Sequence, residues 1–227
     1  MQLLNDIPVS LELEKVLKGL RLRNVSKYVQ GTVRELIGIV QPLAKPKAIY
    51  EVSYVDNRTE DSVYIDGVKF TSHILSINLD KVERVFPYVA TCGKELDQIA
   101  LPSDDFMKSY YLDAIKDAVL GSARSYLKDY LISNYALGQI SHMSPGSLTD
   151  WPITQQEELF SIFGNLEDLI GVKLTENFLM VPLKSVSGIY FPTEIEFVSC
   201  QLCPRELCSG RKAPYDPDLA QKYRKKV

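Results

Sequence analysis

The chain has 227 residues, 45% of them hydrophobic, which is enough for one large packed domain or two small ones and too apolar for intrinsic disorder. Its 26 basic and 29 acidic residues sum to −3, and no window approaches the roughly 18 uninterrupted apolar residues of a membrane span. An N-terminus, Met1 to Glu12, without the basic-then-apolar order of a secretion signal completes the prediction of a cytoplasmic globular protein with neither membrane nor nucleic acid as partner.

The first predicted element is a short amphipathic helix from Pro8 to Leu20. A second follows, because Val25, Tyr28, Val29, Val33, Leu36, Ile37 and Val40 recur at three and four residues until Pro42 is expected to stop it. The Ile, Val and Tyr of Ala48 to Val55 read as strand. Asp66-Gly67 between two apolar runs, Ser62 to Ile65 and Val68 to Phe70, is the strongest hairpin signal in the chain.

Ser72 to Leu79 fits helix or strand equally. Val82 to Thr91 reads as a strand ending at Gly93, with a short helix over Lys94 to Ile99. From Asp104, a predicted N-cap, to Tyr135 there is no proline, and an unbroken helical period predicts one helix of about 45 Å. Gly138 to Ser144 is a predicted strand, Pro145-Gly146 a turn, and Thr149-Asp150-Trp151-Pro152 the predicted cap of a helix over Ile153 to Phe163. Val172 to Thr175 and Met180 to Phe191 are further strand runs. No repeat or low-complexity linker interrupts the chain, which predicts a single α+β domain with a twisted, mainly antiparallel sheet, a long central helix and flanking helices. It spans residues 1–197, and residues 198–227 form a cysteine-containing basic tail.

That tail makes the charge uneven. Arg205 to Val227 holds seven Lys/Arg and three Asp/Glu, so the remainder carries −7. Cys200, Cys203 and Cys208 fall within nine residues as C-x2-C-x4-C, whereas Cys92 stands alone. Three thiols at this spacing are candidate ligands for zinc or for three corners of an iron–sulfur cluster, with Cys92 a formal fourth; free thiols or one local disulfide weigh equally.

The chain has no G-x-S-x-G, P-loop, H-E-x-x-H or G-x-G-x-x-G, and its two histidines, His73 and His142, lie in different regions. The informative residues are Ser144-Pro145-Gly146, Leu174-Thr175-Glu176, Met180-Val181-Pro182 and the run Ser185-Val186-Ser187-Gly188-Ile189-Tyr190-Phe191. Small residues such as Ser185, Ser187 and Gly188 let a ligand approach a strand backbone closely, although turn and strand duty alone explains each of them.

In this order those segments resemble the activation domain of cobalamin-dependent methionine synthase, over about residues 138–191. The front of the chain is more divergent and looks like the free-standing activation-domain-like proteins. The resemblance implies S-adenosylmethionine as ligand, and reactivation of cobalamin on a separate methionine synthase or related corrinoid methyltransferase by reductive methylation, with a reductant protein as further partner. It leaves open whether the chain is itself an enzyme or an accessory to one, and names no catalytic residue. By position, His142, Ser144, Pro145, Gly146, Glu176, Tyr190 and Phe191 would form the ligand site. The chain departs from the pattern at His142, where the family carries arginine, and at Ser147, where it carries tyrosine. Two alternatives stand beside this reading: a corrinoid-protein interaction module without S-adenosylmethionine binding, and a metal or redox accessory protein using the C-terminal cysteines.

Overall fold

The computed structural model describes residues 1–102, 104–208 and 210–223; the end of the predicted basic tail, residues 224–227, lies outside them. In chain order, β1 (Gln2–Leu4), α1 (Leu13–Gly19) and α2 (Lys27–Leu43) precede β2 (Lys47–Tyr50), β3 (Ser53–Arg58), β4 (Ser62–Ile65) and β5 (Val68–Thr71). Then come α3 (His73–Asn78), β6 (Arg84–Thr91), α4 (Phe106–Asn134), β7 (Ile140–Met143), α5 (Gln156–Ser161) and α6 (Leu166–Ile170). β8 (Lys173–Leu174), β9 (Met180–Val181), β10 (Ser185–Pro192) and α7 (Pro217–Lys222) close the order, with 3-10 turns at Lys94–Gln98, Ile153–Gln155 and Ser199–Leu202.

β6 is the axis of an antiparallel sheet. One edge pairs with β10, which in turn pairs with β7; the other pairs first with β3, at Ser53 opposite Val85, and then with β2, at Tyr50 opposite Tyr88. β1 extends the sheet beyond β2, and the β4–β5 hairpin extends it beyond β3. The hairpin turns on Asp66 and Gly67, both at positive φ, as a two-residue primed turn requires.

Alternation along β6 decides the layers. Phe86, Tyr88 and Ala90 point to the face covered by Ala123, Leu127 and Leu131 of α4, whereas Val85 and Val89 belong to cores on the opposite face. There Val85 shares its core with Trp151 and Leu159, and Val89 shares its own with Leu166 and Ile170. Lys184, beside β10, holds α4 through Asp113 at 2.8 Å and Asp117 at 3.1 Å.

Several boundaries differ from expectation for local reasons. Pro42 does not stop α2, because it sits in the last turn, and the Ala44 N–H still reaches the Val40 carbonyl at 2.9 Å. The ambiguous segment Ser72 to Leu79 is helical. Ser72 Oγ caps it by accepting from Leu75 N at 2.9 Å, and the Asp150 carboxylate accepts from Ile74 N at 3.0 Å. Asp150 therefore caps α3 rather than the helix that follows it in sequence, which opens as a 3-10 turn. The cap of α4 is Asp105, not Asp104: its carboxylate accepts from Lys108 N at 2.9 Å. The Met180 to Phe191 run divides at Pro182 into β9 and β10. Among the described residues no helix is long and apolar enough to cross a membrane.

Candidate ligand-binding cleft

His142 on β7 and Tyr190 on β10 are directly opposed across the sheet, so both side chains lie on the α4 face, with ring centroids 5.4 Å apart. Tyr190 also stacks on Tyr88 at 4.4 Å. These two predicted site residues open onto a cleft of about 720 Å³. Gly121, Arg124, Ser125 and Lys128 of α4 form one wall, and the C-terminal segment supplies the facing wall with Glu196 to Cys200, Cys203, Arg205, Cys208 and Lys212.

The other predicted site residues take different places. Phe191 follows Tyr190 on the strand, so the pleat sends it through the sheet into the core of Phe70, Met143 and Trp151. Ser144, Pro145 and Gly146 form a tight turn with Gly146 at φ +79° and Ser147 N donating to the Ser144 carbonyl at 3.1 Å. The Gly146 N–H is itself engaged by the Trp151 carbonyl at 2.7 Å. Ser147, beyond the turn, lines the cleft; residues 144–146 do not. Glu176 is exposed on the connection between β8 and β9, outside the cleft.

The small residues of β10 are committed to the protein itself. A side chain at Gly188 would come within 2.4 Å of the Met143 carbonyl and 2.8 Å of Ser144 Oγ, so the close approach that glycine permits is that of the neighbouring chain, not of a ligand. Ser185 Oγ bonds Thr91 Oγ1 at 2.9 Å, and Ser187 Oγ bonds Gln156 Oε1.

The cysteines separate into two environments. Cys92 is fully buried in the apolar core between α2 and α4, which pushes its thiol up to about 12, and it has no place beside the other three. Cys200, Cys203 and Cys208 line the cleft as free thiols. They do not gather into a metal-holding set: among the described residues no three His, Cys, Asp or Glu side chains are arranged to hold an ion. The fit to zinc or an iron–sulfur cluster therefore fails. What organises this segment is a cation. The Arg211 guanidinium donates to the carbonyls of Cys200 at 3.1 Å, Cys203 at 3.2 Å and Ala213 at 3.2 Å, and also to that of Arg205.

Positive charge dominates the cleft. Four of its lining residues are Arg124, Lys128, Arg205 and Lys212, against the single carboxylate of Glu196, which lies 3.9 Å from Lys128. Burial holds His142 down at about 4, and the charges of Arg124, Lys212 and Lys128 add to the effect, so the imidazole is neutral at pH 7. The α4 wall escapes a sequence reading because Gly121, Arg124, Ser125 and Lys128, spaced i, i+3, i+4 and i+7, have the pattern of an ordinary solvated helix face.

Residues 143–200 match the family described as vitamin B12 dependent methionine synthase, activation domain. No curated protein matches the chain. Among solved structures, a crystal structure of the MetH reactivation domain bound to AdoHcy superposes with a TM-score of 0.56 at 18% identity, covering 87% of this chain and 80% of that one. The chain carries, in residues 143–200, the sequence signature of the B12-dependent methionine synthase activation domain, and it is built on that domain's fold.

Proposed function

We propose that this chain binds S-adenosylmethionine in the cleft between α4, β7, β10 and the C-terminal segment, and presents it to a cobalamin-dependent methyltransferase on a separate chain. In this reading residues 1–197 are the activation-domain-like unit, and the segment from 198 onward is an addition that walls the cleft. The supporting observation is the opposed pair His142–Tyr190, which lines a cationic cleft, with Tyr190 inside and His142 next to the segment matched by the activation-domain family. When bound, S-adenosylmethionine supplies the sulfonium methyl that converts reduced cobalamin to its methylated form. The chain's own contribution is positional. Tyr190, stacked on Tyr88, borders the cleft, the cleft cations meet the ligand's carboxylate, and neutral His142 adds no positive charge against the sulfonium.

Calorimetric titration tests the reading. Saturable binding of S-adenosylmethionine is expected, weakened by Tyr190→Leu in protein that retains its melting temperature. Absence of heat at millimolar ligand would sink it. A cobalamin-loaded methionine synthase fragment should then be retained on the immobilised chain. Retention without S-adenosylmethionine binding would leave the interaction-module alternative, which the replacement of the family's arginine by His142 favours.

A further inference from the structure

Arg124 is the most unusual group in the cleft. It projects from the middle of α4 beside Tyr190, and its Nε is buried without a hydrogen-bond partner. A buried guanidinium nitrogen left unpaired is costly, and in native proteins such an atom is answered by a water, an ion or a ligand. Nor does Arg124 have a carboxylate of its own: among the described residues no acidic group lies within ion-pair distance of Arg124, Arg205 or Lys212, while Lys128, the other cation of the α4 wall, is paired with Glu196. Arg205 and Lys212 reach the cleft from the C-terminal segment that Arg211 folds into place.

We infer that the floor of the cleft is an oxyanion-binding site, in which the forked guanidinium of Arg124 takes a carboxylate or phosphate group and Lys212 and Arg205 close over it from the C-terminal segment. A planar fork suits either anion bidentately, and two cations from another element let the site tighten when the anion arrives. Half of the site then belongs to the C-terminal segment, which makes the cysteine loop a structural wall of the binding site. Burial and the neighbouring Arg124 charge both lower the Lys212 amine, as expected for cations crowded together without a counter-ion. The inference rests on the proposed function only for the nucleoside part of the ligand; the oxyanion site stands without it.

The test is titration of the full chain with three probes: AdoHcy, which has a carboxylate; 5′-methylthioadenosine, which has the same nucleoside and none; and inorganic pyrophosphate. Each is repeated with Arg124→Ala, Arg124→Lys and Lys212→Ala, all at positions where a helix or loop tolerates the change. For a carboxylate ligand, AdoHcy binds at least tenfold more tightly than 5′-methylthioadenosine, Arg124→Ala removes that preference, and Arg124→Lys restores part of it. For a phosphate ligand, pyrophosphate binds and is lost in Arg124→Ala while AdoHcy does not bind, so the oxyanion site survives and the S-adenosylmethionine reading falls. If AdoHcy and 5′-methylthioadenosine bind equally in native and Arg124→Ala protein, the nucleoside reading survives and the oxyanion site is overturned. Failure of all three probes overturns both.

Discussion

The two halves of α4 face opposite chemistries. Its first half buries Tyr111, Leu112, Ile115 and Val119 against α1 and α2, in an apolar core that also encloses Cys92. Its second half divides its surface. Ala123, Leu127 and Leu131 seal the sheet, while Gly121, Arg124, Ser125 and Lys128 line a cationic cleft. The first half is closed by its own packing. The second leaves Arg124 without a carboxylate partner among the described residues, and its facing wall is a loop that Phe197, Leu202 and Tyr223 tie to an apolar core and that Arg211 gathers through hydrogen bonds. One continuous helix therefore ties a rigid apolar block to an open polar site.

The comparison breaks most severely in the first half. Ile115 is fully buried, and Ile115→Ala leaves a cavity that an interdigitated core cannot fill. A loss of about 2–5 kcal/mol is expected in chemical denaturation. Ligand affinity measured below the unfolding transition should stay within twofold of native, since the cleft is contributed by the other half. A large loss of affinity with little loss of stability would show that the two halves are not separable.

The second effect is on pH dependence, and it belongs to the cleft. His142 is pushed from its ordinary 6.5 to about 4 by burial and by Arg124, Lys212 and Lys128. The unfolded chain takes up a proton near 6.5 while the folded chain resists until about 4. The stabilisation is therefore complete above pH 6.5 and is lost as pH falls through that window, by an amount on the order of 3 kcal/mol. His142→Gln should flatten this part of the stability profile between pH 7 and 4. Ile115→Ala should lower the whole curve without changing its slope there.

Legibility followed the same division. The helix of α4 was readable from its period, as were the β4–β5 hairpin and the strand β10, because each follows from local rules of spacing and turn chemistry. His142 and Tyr190 were readable as candidates through the family pattern, and both line the cleft. Phe191 was drawn in by sequence adjacency, and only the pleat of β10 removes it to the other face. Gly188 shows the same limit from another side: its need for space is plain in sequence, but that the space is filled by Met143 and Ser144 is a fact of sheet pairing. Arg124 was invisible because its partners come from β10, over sixty residues away, and from the C-terminal segment. The cysteine spacing called up a metal, yet it is Arg211 that gathers the loop, through carbonyls that carry no sequence signal.

Arg211 gives the smallest expected effect and the sharpest test of how the cleft's outer wall is held. Its guanidinium answers the carbonyls of Cys200, Cys203, Arg205 and Ala213, whereas the rest of the segment is anchored by Phe197 N donating to Ser141 Oγ at 2.7 Å, by Leu202 packed on the apolar core and by Tyr223 donating to Asn78 Oδ1 at 2.8 Å. Arg211→Ala removes the polar fastening of the loop and leaves Phe197, Leu202 and Tyr223 in place. Because those carbonyls can turn to water once released, the cost should be local, about 1–2 kcal/mol of opening free energy in the loop, with the global denaturation midpoint nearly unchanged. Amide exchange should rise over Cys200 to Lys212 and nowhere in α4. Trypsin should cut after Arg205 faster than in the native chain, and oxyanion affinity should fall severalfold, because Arg205 and Lys212 are no longer held over Arg124. If exchange in the loop is unchanged, the wall is held by Phe197, Leu202 and Tyr223 and Arg211 is incidental to it.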